Sequence, residues 1–393
     1  MRIPFDYAVR NLGRSRLRLA LAVSSAALVA ILAIAGSGFV RGMQQALGES
    51  AVAGNLMVLG AGSEESLERS EISPQVATIV AADVDGIRTV PERDDGVPFV
   101  SPEVHVALPL GKRDDGSPDA TVVFRGVTPT AFLVHPQVRI VEGRAPEPGT
   151  DEVLLGTEAL QRLRRAGIDA SVGGSLPFEQ RPLPIVGIFA APGTVMNGEI
   201  WMPLASLKNA TQRTTDSCVV LTLAPGGDPA DLEAFAAMRV DLELSSMTES
   251  AYYAALSRFL APVRWLVVAT ATIIALGGLL GGIGAMDAAF ASRLRELGTL
   301  QALGFRRRSI VASFLQESLL IAMSGALLAA VVALVAIDGL AVRSTMGTFS
   351  IVVDSTSVGI GFLAALALGV VGTLIPAFRC LRIDVPDALK STA

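Results

Sequence analysis

The sequence predicts an α-helical integral membrane protein with four transmembrane helices and an α+β ectodomain inserted between helices 1 and 2. Composition is the first observation: 51% of the 393 residues are hydrophobic and 18% are charged, with a mean hydropathy of +0.52. Soluble domains carry about 25% charged residues. The second observation is four long apolar stretches, and the third is a long polar region between the first two of them. This composition excludes a disordered chain, a collagen-like fibre and a disulfide scaffold.

Each of the four apolar segments is long enough to cross a bilayer, which takes about 20 helical residues. We place the spans at 19–40, 258–290, 309–337 and 356–378. The first span follows an Arg-rich lead and resembles a signal peptide. Its 22 apolar residues exceed the about 7–15 of a signal-peptide core, so we expect a retained anchor.

Charge beside the spans predicts their orientation, because cytoplasmic loops are rich in Arg and Lys. Segments 1–18 and 291–308 each carry five Arg and one acidic residue, a net of +4, and the segment 379–393 has a net of +1. The polar region 41–257 carries 16 basic and 29 acidic residues, a net of −13. We therefore expect both termini and 291–308 in the cytoplasm.

The predicted order follows from these assignments. It is a cytoplasmic amphipathic lead (1–18), span one (19–40), the ectodomain with a stalk helix at its C-terminal end (41–257), span two (258–290), a cytoplasmic loop (291–308), span three (309–337), a short outer loop (338–355), span four (356–378) and a cytoplasmic tail (379–393).

Within the ectodomain, apolar runs between turn residues predict strands, and helical periodicity predicts helices. The predicted strands are Ala120–Gly126, Leu183–Phe189, Cys218–Leu223 and Val240–Leu244. The predicted helices are Pro74–Ala82, Glu152–Arg165 and Asp228–Met238, the last with Asp228 as its N-cap. A helical pattern from Thr248 to Phe290, interrupted by Pro262, predicts a stalk leading into span two.

The search for catalytic motifs finds no complete set. The sequence has no GxxxxGK[ST], HExxH or GxSxG motif, and 111–113 lacks the first glycine and the hydroxyl of a phosphate loop. We therefore expect a non-catalytic subunit with no directly bound cofactor. A metal site at His105 and His135 would need added carboxylates such as Glu103, and we expect none. The sequence contains no basic stripe of the kind that would indicate nucleic-acid binding.

Small and acidic residues stand out within the spans. Four glycines of span two form overlapping GxxxG spacings, which favour close helix packing within the chain or across a dimer: Gly277, Gly278, Gly281 and Gly282. Asp287 lies near the cytoplasmic boundary, where water can reach it. Glu317 is an intramembrane acid, for which we favour a structural hydrogen bond over a proton relay. Cys218 and Cys380 are predicted on opposite sides of the membrane, and the roles of Cys218, His105 and His135 stay open.

The cytoplasmic loop contains a leucine stripe. Leu294, Leu297, Leu300 and Leu303 recur every three residues, and Gly304 is a natural helix stop. One interpretation is a loop that satisfies the positive-inside rule. The other is a short amphipathic helix that docks on a partner.

Here the sequence resembles a known family, the FtsX/MacB-type permeases of ABC transporters. Residues 293–304 (RLRELGTLQALG), with Ser309-Ile310 and Glu317 following, resemble the family's cytoplasmic signature. Further similarities are Ala8–Arg14 in the lead, Val141–Arg144, Glu152–Gly156 and Pro184–Phe189 in the ectodomain, and Gly372–Ala377, Arg379 and Ile383–Lys390 at the end. They cover both ends and the middle of the chain in the family's order.

The resemblance implies a MacB-like periplasmic core domain and an FtsX-like four-helix membrane domain in the bacterial inner membrane. It implies a cytoplasmic ABC ATPase subunit as partner, with ATP and Mg acting through that subunit, and a second permease copy or paralogue. Residues 11–18 would lie along the inner membrane surface. The coupling helix resting on the ATPase would be formed by Arg293, Arg295, Glu296, Leu297, Gly298, Leu300, Leu303 and Gly304.

Two functions are compatible with this architecture. In the first, ATP-driven ectodomain movement (mechanotransmission) exports or extracts a lipoprotein, lipid, peptide or hydrophobic drug. In the alternative, an FtsX-like relay activates a periplasmic cell-wall hydrolase without transport. A periplasmic adaptor, lipoprotein or hydrolase is the corresponding additional partner, besides membrane lipid.

Overall fold

The structure is a computed structural model, and it describes residues 16–90, 96–110, 120–178, 181–291, 298–299, 301–344 and 347–380. The chain divides into two compact units. The membrane unit comprises residues 1–42, 262–340 and 351–393, and the ectodomain unit comprises residues 43–261 and 341–350. We describe each unit by itself.

The helices and strands of the described residues are numbered in chain order. The helices are α1 (Arg16–Ser50), α2 (Val76–Asp83), α3 (Ala131–Val134), α4 (Thr157–Arg165), α5 (Leu204–Thr211), α6 (Pro229–Met238), α7 (Glu249–Phe259), α8 (Ala261–Ala291), α9 (Arg307–Ala336) and α10 (Ser355–Cys380). The strands are β1 (Asn55–Gly60), β2 (Val100–Leu110), β3 (Ala120–Val127), β4 (Arg139–Gly143), β5 (Val153–Gly156), β6 (Ser175–Phe178), β7 (Arg181–Ala190), β8 (Ile200–Pro203), β9 (Cys218–Thr222), β10 (Leu244–Thr248), β11 (Ala341–Ser344) and β12 (Gly347–Ser350).

The membrane unit contains the four helices α1, α8, α9 and α10, each long and apolar enough to cross a membrane. Small side chains dominate the core that α1, α9 and α10 share, because lipid supplies no hydrophobic drive and helices associate through close contact. Its buried members are Ala30, Ile34, Ala322, Ala326, Ala329, Ala333, Val353 and Ala365.

Two helix boundaries differ from the predicted segments. Helix α1 continues ten residues past the predicted end of span one at Val40, because helix-forming polar residues replace the apolar ones without a proline. At the other end of the ectodomain, α7 ends at Phe259 and α8 begins at Ala261, so the helical pattern is interrupted two residues before Pro262. Pro262 lacks the N–H that a continuous helix would donate to the carbonyl of Arg258.

The ectodomain unit is built on a mixed sheet of ten strands. The strand order is β10-β1-β9-β2-β3-β8-β5-β7-β4, with β6 paired to β7. Most neighbours are antiparallel, but β3 pairs in parallel with β8 and β5 with β7. Strands β11 and β12, within the predicted loop 338–355, form a separate antiparallel pair.

Two large apolar cores lie against this sheet. One joins β1 and β9 to α2 and α6, with Val58, Val80 and Leu221 fully or almost fully buried. The other joins β3, β5 and β7 to α4, around Phe124, Leu155 and Leu163. The fold is therefore an α+β ectodomain between the first and second membrane helices, as predicted.

Local predictions met different outcomes. The helix after Asp228 is confirmed, with Asp228 Oδ1 accepting a 2.9 Å hydrogen bond from the backbone N of Ala230. The single helix predicted at 152–165 is wrong: Val153–Gly156 is a buried strand, and the helix begins at Thr157 because Gly156 is extended. The strand predicted at 240–244 is also wrong. Residues 240–242 form a 3₁₀ turn, and Glu243 has a φ of +48° that ends it before β10.

Candidate functional site

The predicted coupling segment lies partly outside the described residues. Arg293, Arg295, Glu296, Leu297 and Leu300 are among those not described. Three predicted members are described: Gly298 is buried, Leu303 is 68% exposed, and Gly304 has a φ of +87°. A positive φ is typical of the glycine that ends a helix.

The predicted packing glycines divide into two pairs. A Cβ atom on Gly278 would lie 2.7 Å from Cγ2 of Val29, and one on Gly282 would lie 3.5 Å from Cδ1 of Leu368. Gly277 and Gly281 have no described atom within 4 Å of that position. Only Gly278 and Gly282 therefore face other helices within the described chain.

The two intramembrane acids have different surroundings. Oδ2 of Asp287 lies 3.5 Å from Nη1 of Arg379 on α10, a pairing that the sequence analysis did not include. Glu317 lies in the middle part of α9 and is partly buried. The sequence contained a signal for this pair, because Asp287 and Arg379 carry opposite charges at the same predicted depth in the membrane.

The most concentrated polar chemistry in the described chain lies inside the ectodomain. We call this group the buried ionic cluster; its members are Glu103, His105, Arg125, His135, Glu199 and Glu249. Each is at most 5% exposed. Buried charges are costly unless they are paired, so this group requires a structural or functional explanation.

The sheet brings these side chains together from distant positions. Glu103 and His105 are two residues apart on β2 and so share one face of the sheet. His105 pairs with Arg125 on β3, and Arg125 pairs with Trp201 on β8. Glu199 immediately precedes β8, whereas His135 follows α3 and Glu249 begins α7.

Arg125 is the centre of the cluster. Its Nε and Nη2 bind the two carboxylate oxygens of Glu199 at 2.7 and 2.8 Å, and its Nη1 lies 2.9 Å from Oε2 of Glu103. The indole N–H of Trp201 donates to Oε2 of Glu199 at 2.9 Å. The Arg125–Glu199 pair is therefore bidentate and almost completely withdrawn from water.

Burial and the neighbouring positive charges shift the pKa values of the three glutamates in opposite directions. Burial raises the pKa of Glu103, but His135, Arg125 and hydrogen bonds from both histidines hold it well below its usual range. Burial likewise raises the pKa of Glu199, and Arg125 overcomes that effect. Burial and the charge of Arg125 lower the pKa of His105. Glu249 differs, since burial leaves its pKa raised despite His135.

Glu103, His105 and Cys218 lie close enough together to suggest a metal-binding set, with donor atoms within 4.8 Å of one another. Two observations argue against that interpretation. Arg125 already places a cation on the Glu103 carboxylate. Burial raises the pKa of the Cys218 thiol well above its usual range, which disfavours the thiolate that binds metals. These residues fit a hydrogen-bonded cluster better than a metal centre.

A cavity of about 420 Å³ opens beside the cluster. Its wall includes Arg125 and Glu199 together with Tyr252 and Tyr253 of α7. Burial raises the pKa of both phenols, so both remain neutral at physiological pH. The Arg125–Glu199 pair and helix α7 therefore line the same cavity, together with the polar segment 65–69.

Glu249 connects the cluster to the two ends of the ectodomain. Its Oε2 accepts hydrogen bonds from the backbone N of Val52 at 2.8 Å and from Nδ2 of Asn55 at 2.9 Å. Its Oε1 lies 3.9 Å from Nδ1 of His135. One carboxylate thus contacts the segment after α1, helix α7 and the cluster.

Only part of this site was predicted from the sequence. His105, His135 and Glu103 were considered as a metal site and no metal was expected there, whereas Arg125, Glu199 and Glu249 were missed. The available signal was a charged residue within an apolar strand run, as in Val122-Val-Phe-Arg125. Such a residue is buried and needs a partner if the run is a central strand.

The lowered pKa values predict acid sensitivity of the ectodomain. Glu103 and Glu199 have folded-state pKa values below the usual 4.5, so their stabilisation is complete above that pH and is lost as the pH falls below it. Trp201 fluorescence measures this directly, because Trp265→Phe leaves one tryptophan in the chain. We expect a red shift beginning below about pH 4.5.

Glu199→Gln supplies the control for this measurement, because an amide does not ionise. It should lose stability at neutral pH, where the salt bridge is missing, and show a weaker acid dependence. An acid transition of unchanged amplitude in both Glu199→Gln and Glu103→Gln would contradict the assignment.

Comparison with known proteins supplies two family matches. A family model described as MacB-like periplasmic core domain matches residues 19–236. A second, described as FtsX-like permease C-terminal, matches residues 268–385. Together they cover most of the ectodomain and of the membrane helices, with residues 237–267 outside both matches.

Individual relatives are distant. A macrolide export ATP-binding/permease protein MacB from Shewanella sp. (strain W3-18-1) is 24% identical over 334 residues, covering 81% of this chain and 50% of that protein. The MacB protein of Campylobacter jejuni (strain 81-176) is 31% identical over 130 residues, covering 32% and 20%. The chain spans about half the length of the relative that it matches over most of its own residues.

Solved structures of extracytoplasmic domains are also similar. The periplasmic region of MacB from Actinobacillus actinomycetemcomitans aligns with a TM-score of 0.39 at 10% identity, covering 53% of this chain and 94% of that one. The extracellular domain of the ABC-type transporter YknZ from Gram-positive bacteria aligns with a TM-score of 0.36 at 12% identity, covering 49% and 99%.

Proposed function

The chain belongs to the FtsX/MacB-type ABC transporter permeases, and from that premise we propose that it converts ATP hydrolysis by a cytoplasmic ATPase into movement of its ectodomain. The observation that carries the proposal is the order of the two family matches along one chain, with the ectodomain between the first and second of four apolar helices. Members of this family are multi-pass proteins of the inner membrane that work with ABC ATPases.

The ATPase acts from a separate subunit in this proposal. The two matched family models describe a MacB-like periplasmic core domain and an FtsX-like permease C-terminal region. The net charge of +4 on each of the segments 1–18 and 291–308 supports a cytoplasmic location for them and for the docking surface.

The cargo that we propose is a lipoprotein, lipid, peptide or hydrophobic drug, moved from the outer leaflet or the periplasm. The acidic ectodomain, with a net charge of −13 over 41–257, is the part of the chain that would meet such a cargo or an adaptor protein. A second permease copy or paralogue completes the complex. No observation favours the alternative of a relay to a cell-wall hydrolase.

The coupling helix is the most direct test of this function. We expect Leu297→Asp combined with Leu300→Asp to weaken assembly with the ATPase by on the order of tenfold or more, because charged side chains replace the apolar docking stripe. The chain is reconstituted in nanodiscs with a cytoplasmic ABC ATPase subunit of this transporter family. Complex formation and the rate of ATP hydrolysis are then measured.

Gln301→Asp is the matched control, since it adds a charge between the leucines of the same segment. It should leave assembly and hydrolysis close to those of the unmodified chain. Unchanged assembly and unchanged ATPase coupling in the double leucine variant would overturn the assignment of 293–304 as the coupling helix.

A further inference from the structure

We propose that Glu249 is the positioning residue that couples the two ends of the ectodomain, so that a displacement of residues 50–55 passes directly to α7. The proposal deepens the function proposed above, since it names the residue through which movement would enter and leave the ectodomain. It concerns the ectodomain unit alone.

The geometry of Glu249 supports this role. The residue is 1% exposed and is the first residue of α7. Its Oε2 holds both the backbone N of Val52 and the side-chain amide of Asn55. Val52 lies two residues after the end of α1, and α7 is separated from α8 by Leu260 alone. This oxygen atom thus links the segment that follows α1 to α7, the short helix that precedes α8.

The end of α1 is fixed at the same place. Ser50 is fully buried; its Oγ donates to the carbonyl of Ala46 at 2.6 Å and accepts from the backbone N of Val195 at 2.9 Å. Nε2 of Gln137 donates to the Ser50 carbonyl at 3.2 Å. The bond from Gln137 satisfies one of the carbonyl groups that a helix C-terminus leaves open. The end of α1 therefore has defined hydrogen-bond partners up to Ser50.

Asn55 secures the other side of Val52. Its Nδ2 also donates to the carbonyl of Val134 at 2.8 Å, and its Oδ1 accepts from Oγ1 of Thr222 at 2.6 Å. The segment 50–55 is therefore held at both ends by buried bonds. Glu249 ties this segment to α7 through two hydrogen bonds, beside the sheet contact in which Leu56 of β1 pairs with Thr248, the N-cap of α7.

His135 lies beside Glu249 without a hydrogen bond to it. Nε2 of His135 lies 2.8 Å from Oε1 of Glu103, whose lowered pKa keeps that carboxylate an acceptor, so this nitrogen is the donor. Nδ1 of His135 is buried without a hydrogen-bond partner among the described residues. Oε1 of Glu249 lies 3.9 Å from this nitrogen, beyond hydrogen-bond distance. The bonds to Val52 and Asn55 use the other oxygen, Oε2, and are therefore the hydrogen bonds that hold this carboxylate.

Amide hydrogen exchange on the full-length chain in lipid nanodiscs tests the coupling without ATP or a partner subunit. Ser50→Ala loosens the segment 50–55 by removing the bonds to Val195 and Ala46. With Glu249 present, we expect exchange of residues 249–256 to rise on the order of tenfold, because the perturbation passes through the carboxylate. In the Glu249→Ala background, Ser50→Ala should still accelerate residues 50–56 and add nothing at 249–256.

Matched variants separate coupling from a general loss of stability. Glu249→Gln keeps a carbonyl oxygen for Val52 and Asn55 and should preserve the transmission. Glu233→Ala removes an exposed acid of α6 and should change neither segment. If Glu249→Ala does not fold, Asn55→Ala carries the test, because it removes one of the two bonds and should reduce the transmitted effect.

The proposal is overturned if Ser50→Ala accelerates exchange at 249–256 equally with and without the Glu249 carboxylate, or if Asn55→Ala leaves the transmitted effect at its full size. These outcomes are independent of the ATPase experiment on Leu297 and Leu300. A failure of the proposed function is therefore distinguishable from a failure of the coupling through Glu249.

Discussion

Replacing Arg125 with leucine is expected to lower the free energy of unfolding of the ectodomain by about 3–5 kcal/mol, the cost of removing one partner from a buried ion pair. Arg125 is 3% exposed and neutralises Glu199 through two bonds and Glu103 through a third. Its loss leaves both carboxylates buried without their cation. Chemical unfolding followed by Trp201 fluorescence in the Trp265→Phe chain measures the change.

Arg144→Leu is the matched control for this experiment. Arg144 also binds a glutamate, Glu152, through two nitrogens, but its side chain is 49% exposed. Water replaces such a bond at little cost, so we expect almost no change in stability. The comparison isolates burial, because both variants remove a bidentate arginine–glutamate pair.

Removing the negative charges as well should restore part of the lost stability. In the Arg125→Leu chain, Glu103→Gln and Glu199→Gln convert the unpaired carboxylates into neutral amides. Replacing a whole buried ion pair costs far less than breaking it. An Arg125→Leu chain as stable as Arg144→Leu, or a triple variant weaker than Arg125→Leu itself, would contradict this account of the cluster.

The membrane helices were predictable because lipid imposes a strong rule on sequence. About 20 apolar residues are required to cross a bilayer, and each of the four helices shows that run. Hydropathy gives no information on a helix that continues beyond the apolar run, so the predicted end of the first span at Val40 came too early. Helix α1 runs on to Ser50 through Gln44, Gln45 and Glu49, which hydropathy treats as an end although they favour a helix.

The buried ionic cluster could not be predicted from the sequence, because its members are brought together by the order of the strands in the sheet. Glu103 and Glu199 are 96 residues apart, and they meet only because β2, β3 and β8 are neighbours in the sheet. Local patterns contain no information on that order. Glu249 appeared as the start of a stalk pattern, and only its contact with Val52, 197 residues away, indicates a coupling role.

The glycines of the membrane unit show a similar limit. Sequence spacing drew attention to α8, where glycines are dense, since GxxxG spacing is the usual sign of close helix contact. The structure places tight contacts at Gly325 on α9 and Gly361 on α10, which stand outside any dense run. Spacing identifies glycines that permit an approach, whereas the neighbouring helix decides which of them are used.

Gly325→Leu is therefore expected to disrupt the membrane unit, whereas Gly281→Leu is not. A Cβ atom on Gly325 would lie 2.7 Å from Cβ of Ala26 and 2.8 Å from the backbone oxygen of Val23. The backbone cannot move aside as a flexible side chain can, so α1 and α9 must separate. This separation lowers the free energy of unfolding by about 1–3 kcal/mol or more. Gly281 has no described atom within 4 Å of its Cβ position and tolerates the same change.

Thermal unfolding of the two full-length variants in detergent distinguishes these outcomes. We expect Gly325→Leu to unfold at a clearly lower temperature and Gly281→Leu to match the unmodified chain. Gly325→Ala should give an intermediate loss, because its single Cβ already meets Ala26 and Val23. Equal stability of both leucine variants would mean that α1 and α9 do not approach at Gly325. A loss of thermal stability confined to Gly281→Leu would instead show that α8 makes a tight contact at that glycine.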